Sequence, residues 1–235
     1  GGDDSVGKML DYLEREGLAA NTVVIYSSDN GWYLGDLGLY DKRFMYEPGL
    51  HIPLLARGPG IKAGSVPAQL VANIDFAPTF LDLAGLPVPD SMQGRSLVPL
   101  LRGESPASWR TSVYYRYYHD PGHHNTVAHL GVRTATHKLV HYWKQDSYEL
   151  FDLTRDPTEQ HNLLFAPSEA ARPEVASLFA ELKAEIARQQ KAFKDEGQYA
   201  DPATWPKDSA DGPFGARQPL GVKTVAEAIA ATQAQ

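Results

Sequence analysis

The spacing of hydrophobic positions changes character near residue 111. Before that point, apolar positions three and four residues apart, which are typical of amphipathic helices, alternate with short, continuously apolar runs. The run at 22–26 is rich in β-branched residues and is typical of a strand buried on both faces of a parallel sheet, and a second strand is expected at 52–56. From Ser112 onward, short aromatic or β-branched segments separated by turn signals predict an antiparallel meander.

Stretches with helical spacing frame these strands. The first helix should begin close to Asp4 or Ser5 and end at Gly17, because acidic and hydroxyl side chains cap helix starts and glycine favours helix ends. A second helix is expected to be capped by Asp75, to run to about Ala84 and to stop at Gly85. A long helix should start at Pro173, since proline is favoured at the first helical position. Together these elements predict an α/β protein.

Composition narrows the class of protein. The 235 residues include 22 Lys and Arg against 29 Asp and Glu, a formal charge of −7, and 43% are hydrophobic. Such a chain is too apolar to be disordered, and its mild acidity gives no electrostatic basis for binding nucleic acid. No apolar run approaches the roughly 20 residues that span a bilayer. The absence of cysteine excludes disulfides, zinc–thiolate sites and a cysteine nucleophile.

The changes in pattern divide the chain into three predicted parts. Residues 1–110 should form an α/β core, 111–200 a small α+β subdomain of sheet plus helix, and 201–235 an extended or flexible tail with a weak helix near 225–233. The chain starts directly on its first helix, without an initiator Met or a signal segment. We therefore expect a piece of a longer protein, with a trimmed recombinant product as the alternative.

The sequence Asp29-Asn30-Gly31 is a candidate metal site. It follows the predicted strand 22–26, and ligands of α/β sheets bind at the carboxyl ends of strands. A carboxylate and an amide carbonyl are hard oxygen ligands that suit Ca²⁺ or Mg²⁺. The alternative is an Asx-turn, because Asp-Asn-Gly is also a strong turn signal. The strand before it and the lysine after it favour the metal site.

Lys42 is the candidate anion-binding residue. It lies twelve positions beyond Asn30, after a glycine-rich stretch, and its ammonium is a compact charge that can hold a tetrahedral oxyanion beside a divalent cation. The alternative is a solvated surface lysine next to Arg43. Tyr46 and Glu47 could orient this site or cap local structure.

A series of motifs resembles the second half of type I sulfatases. The motifs follow one another in order over about residues 3–195, and a set of that length is far more specific than any single motif. The stretch 41–47 and the aromatic segment 114–118 are most similar to bacterial relatives of N-acetylglucosamine-6-sulfatase. The motifs are Ser28-Asp29-Asn30-Gly31, Gly35-Asp36-x-Gly38, Asp41 to Glu47, Pro53 to Gly60, Asp75 to Thr79, Met92 to Leu97, Gly131 to Thr134 with Lys138-Leu139, Glu149 to Leu153, and Asp156-Pro157-x-Glu159.

The resemblance implies an alkaline-phosphatase-like core, present in part, followed by a small C-terminal subdomain of antiparallel sheet plus helix. It implies that Asp29 and Asn30 bind Ca²⁺ and that Lys42 contacts the sulfate ester. In the family, a formylglycine hydrate attacks sulfur while the cation polarises the sulfate oxygens. The expected substrates are sulfated sugars or glycosaminoglycans, and the expected location is periplasmic or extracellular.

A histidine-rich segment precedes the predicted strand at 131–134. Its members are His119, His123, His124 and His129. His129 sits where sulfatases of this type often place a substrate-contacting residue, so the resemblance makes it a candidate for substrate binding. For His123, His124, His137 and His141 the preferred interpretation is a solvated segment without a role in the site. Arg133 is either part of the site or a structural ion-pair partner.

Departures from the family pattern limit what this chain should do. It has no cysteine and no Pro-x-Arg, so it lacks the motif that yields formylglycine, and the family's two-Asp metal motif is also missing. Leu37 replaces the histidine of the Gly-Asp-His-Gly motif found in many relatives. We therefore expect half of an active site, no sulfatase activity from this chain alone, and a partner in the missing N-terminal half.

Two other functions remain open at this point. A phosphodiesterase or phosphonate hydrolase shares the same fold, and fold analogy does not separate it from a sulfatase. The absence of a nucleophile motif favours a non-catalytic module that binds Ca²⁺ or a sulfated glycan.

Overall fold

The computed structural model describes residues 1–120, 122–195 and residue 197. These residues form two compact units, one from 1–30 and 51–111 and the other from 31–50 and the chain after 111. The predicted tail at 201–235 and its weak helix at 225–233 lie outside the described residues. The predicted domain boundaries at 110 and 200 stay predictions.

Eight strands and six α-helices occur in the described part of the chain. The strands are β1 (Val24–Ser27), β2 (Tyr33–Leu34), β3 (Tyr40–Asp41), β4 (Leu54–Arg57), β5 (Ser112–Tyr117), β6 (His129–Thr134), β7 (His137–Tyr142) and β8 (Ser147–Asp152). The helices are α1 (Gly2–Arg15), α2 (Glu47–Leu50), α3 (Phe76–Leu83), α4 (Val98–Leu101), α5 (Pro167–Ala170) and α6 (Pro173–Ala192).

Strands β1 and β4 pair in the first unit, and their direction corrects the sequence prediction. The pair is antiparallel, with Val24 opposite Arg57 and Ser27 opposite Leu54. Tyr26 is 50% exposed, so β1 is not buried on both faces, and the expectation of a parallel, doubly buried strand is wrong for the described residues. The reason is that a continuous apolar run indicates a strand without indicating the direction of its partner.

In the first unit, both predicted helix ends and the start of α3 at its cap Asp75 agree with the prediction, and only the start of α1 differs. Helix α1 begins at Gly2, earlier than predicted, because the carbonyl of Gly1 already accepts the Ser5 amide. The predicted stop at Gly17 is confirmed: the helix ends at Arg15, Gly17 just beyond it has a φ of 69°, and the amide of Leu18 donates to the carbonyl of Leu13. Helix α3 likewise ends before Gly85, which has a φ of 70°.

Asp75 has a larger role in the first unit than the predicted helix cap. Its carboxylate is fully buried and accepts two hydrogen bonds of 2.5 Å from the Arg110 guanidinium. It also accepts the backbone amides of Ala72 and Arg95, each at 2.8 Å. This carboxylate therefore joins three separate stretches of the chain. Each of its hydrogen bonds is strengthened by the negative charge of the carboxylate.

The second unit contains the predicted antiparallel meander, in the order β5-β6-β7-β8. Val132 of β6 lies opposite Leu139 of β7, which in turn lies opposite Leu150 of β8. Helix α6 begins at Pro173 as predicted and packs on one face of this sheet. The buried core between them consists of Leu130, Val132, Leu139, Leu150, Val175, Leu182 and Ile186.

Residues 31–50 belong to the second unit and form a loop that is closed at its base. The amide of Gly31 donates to the carbonyl of Gly49 at 2.9 Å, and the amide of Trp32 donates to the carbonyl of Pro48 at 2.8 Å. Met45 in the middle of the loop is fully buried against Val140 and its neighbours in the sheet. The segment that carries Lys42 is therefore part of the C-terminal sheet's packing.

Candidate functional site

Lys42 follows β3 directly, and its side chain lies over an aromatic ring. Nζ is 4.9 Å from the centroid of the Trp32 ring, within the range of a cation–π interaction. No carboxylate in the described part of its own unit forms an ion pair with Lys42. The ammonium therefore keeps its charge available for an anion.

The backbone beside Lys42 is held in an unfavourable conformation. Asp41 is buried and has a φ of 129°, which side-chain-bearing residues rarely adopt. The Arg43 guanidinium pairs with the Asp41 carboxylate, and the Tyr115 hydroxyl donates to the carbonyl of Arg43 at 2.6 Å. Such conformations persist only where surrounding contacts enforce them, and they cluster at functional sites.

Tyr33 fixes the interior of the same loop. Its buried hydroxyl donates to the carbonyl of Phe44 at 2.7 Å, and burial raises the pKa of this phenol well above its ordinary value. Gly49 touches the ring so closely that a Cβ there would lie 2.6 Å from the Tyr33 hydroxyl oxygen. The loop is therefore packed around a neutral, hydrogen-bonded tyrosine.

A buried ion network ties the end of the loop to the sheet. The fully buried Lys138 ammonium lies 2.6 Å from Glu159 and 2.9 Å from Glu47, and Arg133 lies 3.2 Å from Glu47. Glu159 also accepts the backbone amide of Glu47 at 2.6 Å. Of the two readings open for Arg133, the ion-pair partner is confirmed, and Glu47 anchors the loop.

Burial and charge act in opposite directions on the two carboxylates of this network. Burial pushes the pKa of Glu47 upward, but hydrogen bonds from Arg133 and the charge of Lys138 outweigh it and lower the pKa below the ordinary value. For Glu159, burial outweighs the charge of Lys138, and the pKa is raised. Lys138 thus faces one carboxylate held ionised and one whose ionisation is costly.

A second polar cluster joins the loop to β7 and β8. The Tyr46 and Tyr142 hydroxyls donate to the same Glu149 oxygen at 2.7 and 3.0 Å, and they lie 3.0 Å from each other. Burial is the main reason why the pKa of Glu149 is raised. Tyr46 therefore orients the loop through contacts with the sheet.

His129 lies at the start of β6 and is fully buried among aromatic rings. Phe44, Tyr115 and Tyr117 stack on it at centroid distances of 5.3, 5.6 and 5.8 Å, and Nδ1 lies 2.8 Å from the carbonyl of Val127. Burial lowers the pKa of this imidazole to about 4, so it is neutral at pH 7. The arrangement favours packing, and the predicted contact between His129 and substrate stays a prediction.

Asp29 and Asn30 follow β1 in the first unit, as predicted. Asp29 is exposed, its Oδ1 accepts the backbone amide of Asn30 at 3.0 Å, and its carbonyl accepts the Asn73 side-chain amide at 3.3 Å. Within residues 1–120 and 122–195, no cluster of three or more His, Asp or Glu side chains could hold a metal ion. The two side chains carry oxygen donors that fit a hard cation and would supply only part of its shell. Their binding of Ca²⁺ stays a prediction.

Comparison with known families settles the family of this chain. A family model described as "N-sulphoglucosamine sulphohydrolase, C-terminal" matches residues 35–192, a stretch that includes Lys42, Glu47, Lys138 and Glu159. The chain belongs to this sulfatase C-terminal family. The resemblance to sulfatases inferred from the motifs is confirmed.

Two relatives of this sulfatase C-terminal chain are named as N-acetylglucosamine-6-sulfatases. It is 43% identical to an N-acetylglucosamine-6-O-sulfatase of Bacteroides thetaiotaomicron over 82% of its length, and 47% identical to human N-acetylglucosamine-6-sulfatase over 49%. These matches cover only 34% and 21% of the two relatives. The chain therefore spans about a third of the length of the first of them.

Solved structures give the same picture for the fold. The structure of BT4656 in complex with its substrate D-glucosamine-2-N,6-O-disulfate superposes with a TM-score of 0.76 and 42% identity, covering 83% of this sulfatase chain and 39% of that chain. A phosphonate monoester hydrolase from Silicibacter pomeroyi gives 0.71 at 28% identity, over 83% of this chain and 40% of that one. The predicted fold class, a partial alkaline-phosphatase-like core with a C-terminal sheet and helix, is confirmed.

Sequence reasoning missed several residues that shape this sulfatase loop. Lys138, Glu149 and Glu159 appeared only as members of family motifs, without a role. The sequence carries one signal for Lys138 and Glu149, since each is a charged residue inside an otherwise apolar strand. A charge at a buried strand position needs a partner. Trp32 gave no signal beyond its position next to Gly31.

In the part of the chain that the structure describes, no helix is long and apolar enough to cross a membrane.

Proposed function

We propose that this chain is the C-terminal part of an enzyme that hydrolyses sulfate esters on glucosamine-containing sugars. The observation that carries the proposal is the 43% identity to an N-acetylglucosamine-6-O-sulfatase over most of the chain. The glucosamine disulfate bound by BT4656 supports the same class of substrate. A periplasmic or extracellular location is part of the proposal and rests on the family alone.

Lys42 is proposed to bind the sulfate group. Its ammonium has no carboxylate partner in the described part of its unit, and the loop that carries it is fixed by Tyr33, Tyr46 and Glu47. A positioned cation stabilises negative charge that grows on the sulfate oxygens as the ester bond breaks. Because the surrounding bonds already hold the loop, little reorganisation is needed when the charge develops.

Asp29 and Asn30 are proposed to hold Ca²⁺. A carboxylate and an amide oxygen are hard ligands, and Ca²⁺ takes about 6–8 of them, so the remaining ligands would come from elsewhere. Ca²⁺ held by these residues would supply Lewis-acid polarisation of the sulfate oxygens. The nucleophile, a formylglycine, is proposed to lie on an N-terminal part of the enzyme, because this chain has neither cysteine nor Pro-x-Arg.

Calorimetric titration of the 235-residue chain tests the binding roles. We expect wild type to bind Ca²⁺ and glucosamine-6-sulfate, Asp29→Ala to lose Ca²⁺, and Lys42→Met to lose the sulfated sugar. Asp90→Ala is the matched control, since Asp90 is an exposed carboxylate in the same unit as Asp29. Failure of wild type to bind either ligand would contradict the proposal.

An assay with an aryl sulfate in the presence of Ca²⁺ tests the expectation that the chain alone is inactive. We expect no turnover, because the proposed nucleophile is absent from the chain. Hydrolysis that is abolished in Lys42→Ala would overturn that expectation while supporting the role of Lys42.

A phosphonate monoester hydrolase is the second candidate function. The TM-score of 0.71 and 28% identity to the enzyme from Silicibacter pomeroyi favour it, and an ammonium binds a tetrahedral phosphonate by the same electrostatics. Titrating the chain with glucosamine-6-sulfate and with phenylphosphonate separates the two. Tighter binding of the phosphonate would favour this alternative.

A further inference from the structure

Trp32 is an exposed aromatic residue that contacts the candidate sulfate-binding lysine. The indole is 42% exposed, the Lys42 ammonium lies 4.9 Å from its centroid, and the Tyr40 ring meets it in an edge-to-face arrangement at 5.9 Å. The indole is therefore partly open to solvent and within reach of the ammonium.

The neighbouring charges are already paired, whereas Lys42 is not. Arg43 pairs with Asp41, so that carboxylate is occupied by another cation. In the described part of this unit, no carboxylate pairs with Lys42. An aromatic face attracts a cation without cancelling its net charge, which a carboxylate would do. The Trp32 ring can thus hold the ammonium and leave it free to bind an anion.

The position of Trp32 is itself tightly determined. Its amide donates to the carbonyl of Pro48 at 2.8 Å, next to the bond between Gly31 and Gly49. A Cβ on Gly31 would lie 2.0 Å from the Pro48 oxygen, so only glycine permits this close approach of the two backbone segments. The backbone that carries the indole is therefore held in place by these contacts.

We propose that Trp32 is a positioning residue for Lys42. Its ring holds one side of the ammonium and leaves the N–H groups on the other side to bind a sulfate group. This inference rests on the proposed function, because it assigns Trp32 a role in the binding that Lys42 performs. Pre-organisation of this kind strengthens binding by removing the cost of ordering a long, flexible side chain.

Nuclear magnetic resonance of the full chain tests the geometry without any ligand. The ring current of Trp32 should shift the Lys42 Cε methylene protons upfield, with the resonance assigned by its loss in Lys42→Met. We expect the shift to disappear in Trp32→Leu and to remain in reduced form in Trp32→Phe. An unshifted Lys42 methylene in wild type would overturn the inference.

Titration with sodium sulfate and with glucosamine-6-sulfate at constant ionic strength tests the function. We expect Trp32→Leu to weaken binding about fivefold and Trp32→Phe to weaken it less, because a phenyl face holds a cation more weakly than an indole. Unchanged affinity in Trp32→Leu, with binding lost in Lys42→Met, would overturn the role of Trp32 alone. Unchanged affinity in Lys42→Met would overturn the proposed function itself.

Two controls separate positioning from stability. Phe165→Leu removes another exposed aromatic ring of the same unit and should leave sulfate affinity unchanged. Thermal unfolding of Trp32→Leu should stay close to wild type, since the lost ring is largely exposed. A loss of affinity explained entirely by partial unfolding would overturn the inference, whereas rescue by phenylalanine at constant stability supports it.

Discussion

The two groups of candidate site residues are held in contrasting ways. Lys42 lies on a loop fixed by two buried polar clusters, by a neutral tyrosine and by backbone bonds that close its base. Asp29 is exposed, and its carboxylate accepts bonds only from its sequence neighbours Ser28 and Asn30 within the described residues. An anion-binding group can be pre-positioned by protein alone, whereas exposed carboxylate ligands acquire their strongest partner only when a cation binds.

Of the substitutions proposed for the two regions, removal of Lys138 should cause the largest loss in the free energy of unfolding. Lys138→Met leaves Glu159 without a cation and Glu47 with Arg133 alone, and uncompensated buried charge costs about 3–5 kcal/mol. We expect a lower free energy of unfolding in urea by that amount. Glu159→Gln in the same chain should recover part of the loss, and an unchanged unfolding midpoint in the single variant would show that the network does not anchor the loop.

Acid should loosen the aromatic packing around His129. Because burial lowers its pKa in the folded state to about 4, below the ordinary value near 6.5, its contribution is fully present above pH 6.5 and is lost as the pH falls from about 6.5 to 4. The loss amounts to about 3 kcal/mol, at 1.36 kcal/mol for each unit of pKa. Urea unfolding at a series of pH values should show it.

His129→Phe provides the matched comparison for that experiment. The substitution keeps a flat ring among Phe44, Tyr115 and Tyr117 but removes the titrating group. The pH dependence that remains in this variant belongs to other groups. Identical pH profiles for the variant and wild type would refute the assignment to His129.

A methyl group at Gly31 should open the base of the loop. In Gly31→Ala the Cβ would overlap the Pro48 oxygen, and forcing the two backbone segments apart costs about 1–3 kcal/mol. Gly7→Ala is the control, because no atom lies within 4 Å of a Cβ at that position of α1, and alanine should slightly stabilise an exposed helix. Equal stability of both variants would mean that the two backbone segments at the base of the loop separate without a cost in free energy.

The smallest effect on stability is expected at Asp29. Asp29→Ala removes an exposed side chain, so the free energy of unfolding without Ca²⁺ should stay within about 0.5 kcal/mol of wild type. Added Ca²⁺ should raise the thermal midpoint of wild type and not that of the variant. A large destabilisation without Ca²⁺ would remove the contrast between the two regions.

Sequence patterns predicted the C-terminal half of the fold better than the N-terminal half. The meander and the start of α6 at Pro173 follow from local turn signals and strand propensity, which act between neighbouring segments. The direction of β1 depends on a partner thirty residues away, Leu54–Arg57, and no local signal specifies it. The first helix began earlier than predicted, since a backbone carbonyl at Gly1 was sufficient to start it.

The charged residues of the candidate site could be predicted from the sequence, but the residues that hold them in place could not. Lys42, Asp29 and Asn30 stand out because their chemistry is visible in the sequence. Glu159 supports the loop from a turn where it adopts a φ of 56°, and only the folded chain brings it beside Glu47. Contacts of that kind join residues more than a hundred positions apart, which is beyond the reach of spacing rules.

The bond between Glu159 and the Glu47 amide has a practical consequence for exchanging parts between family members. A segment equivalent to 31–50, transplanted into a related enzyme, would keep its support only where the recipient also has a glutamate and a lysine at the positions of Glu159 and Lys138. In a recipient enzyme that lacks these two residues, we expect the lysine of the transplanted loop to be displaced. The position of Lys42 thus depends on three distant pieces of the chain.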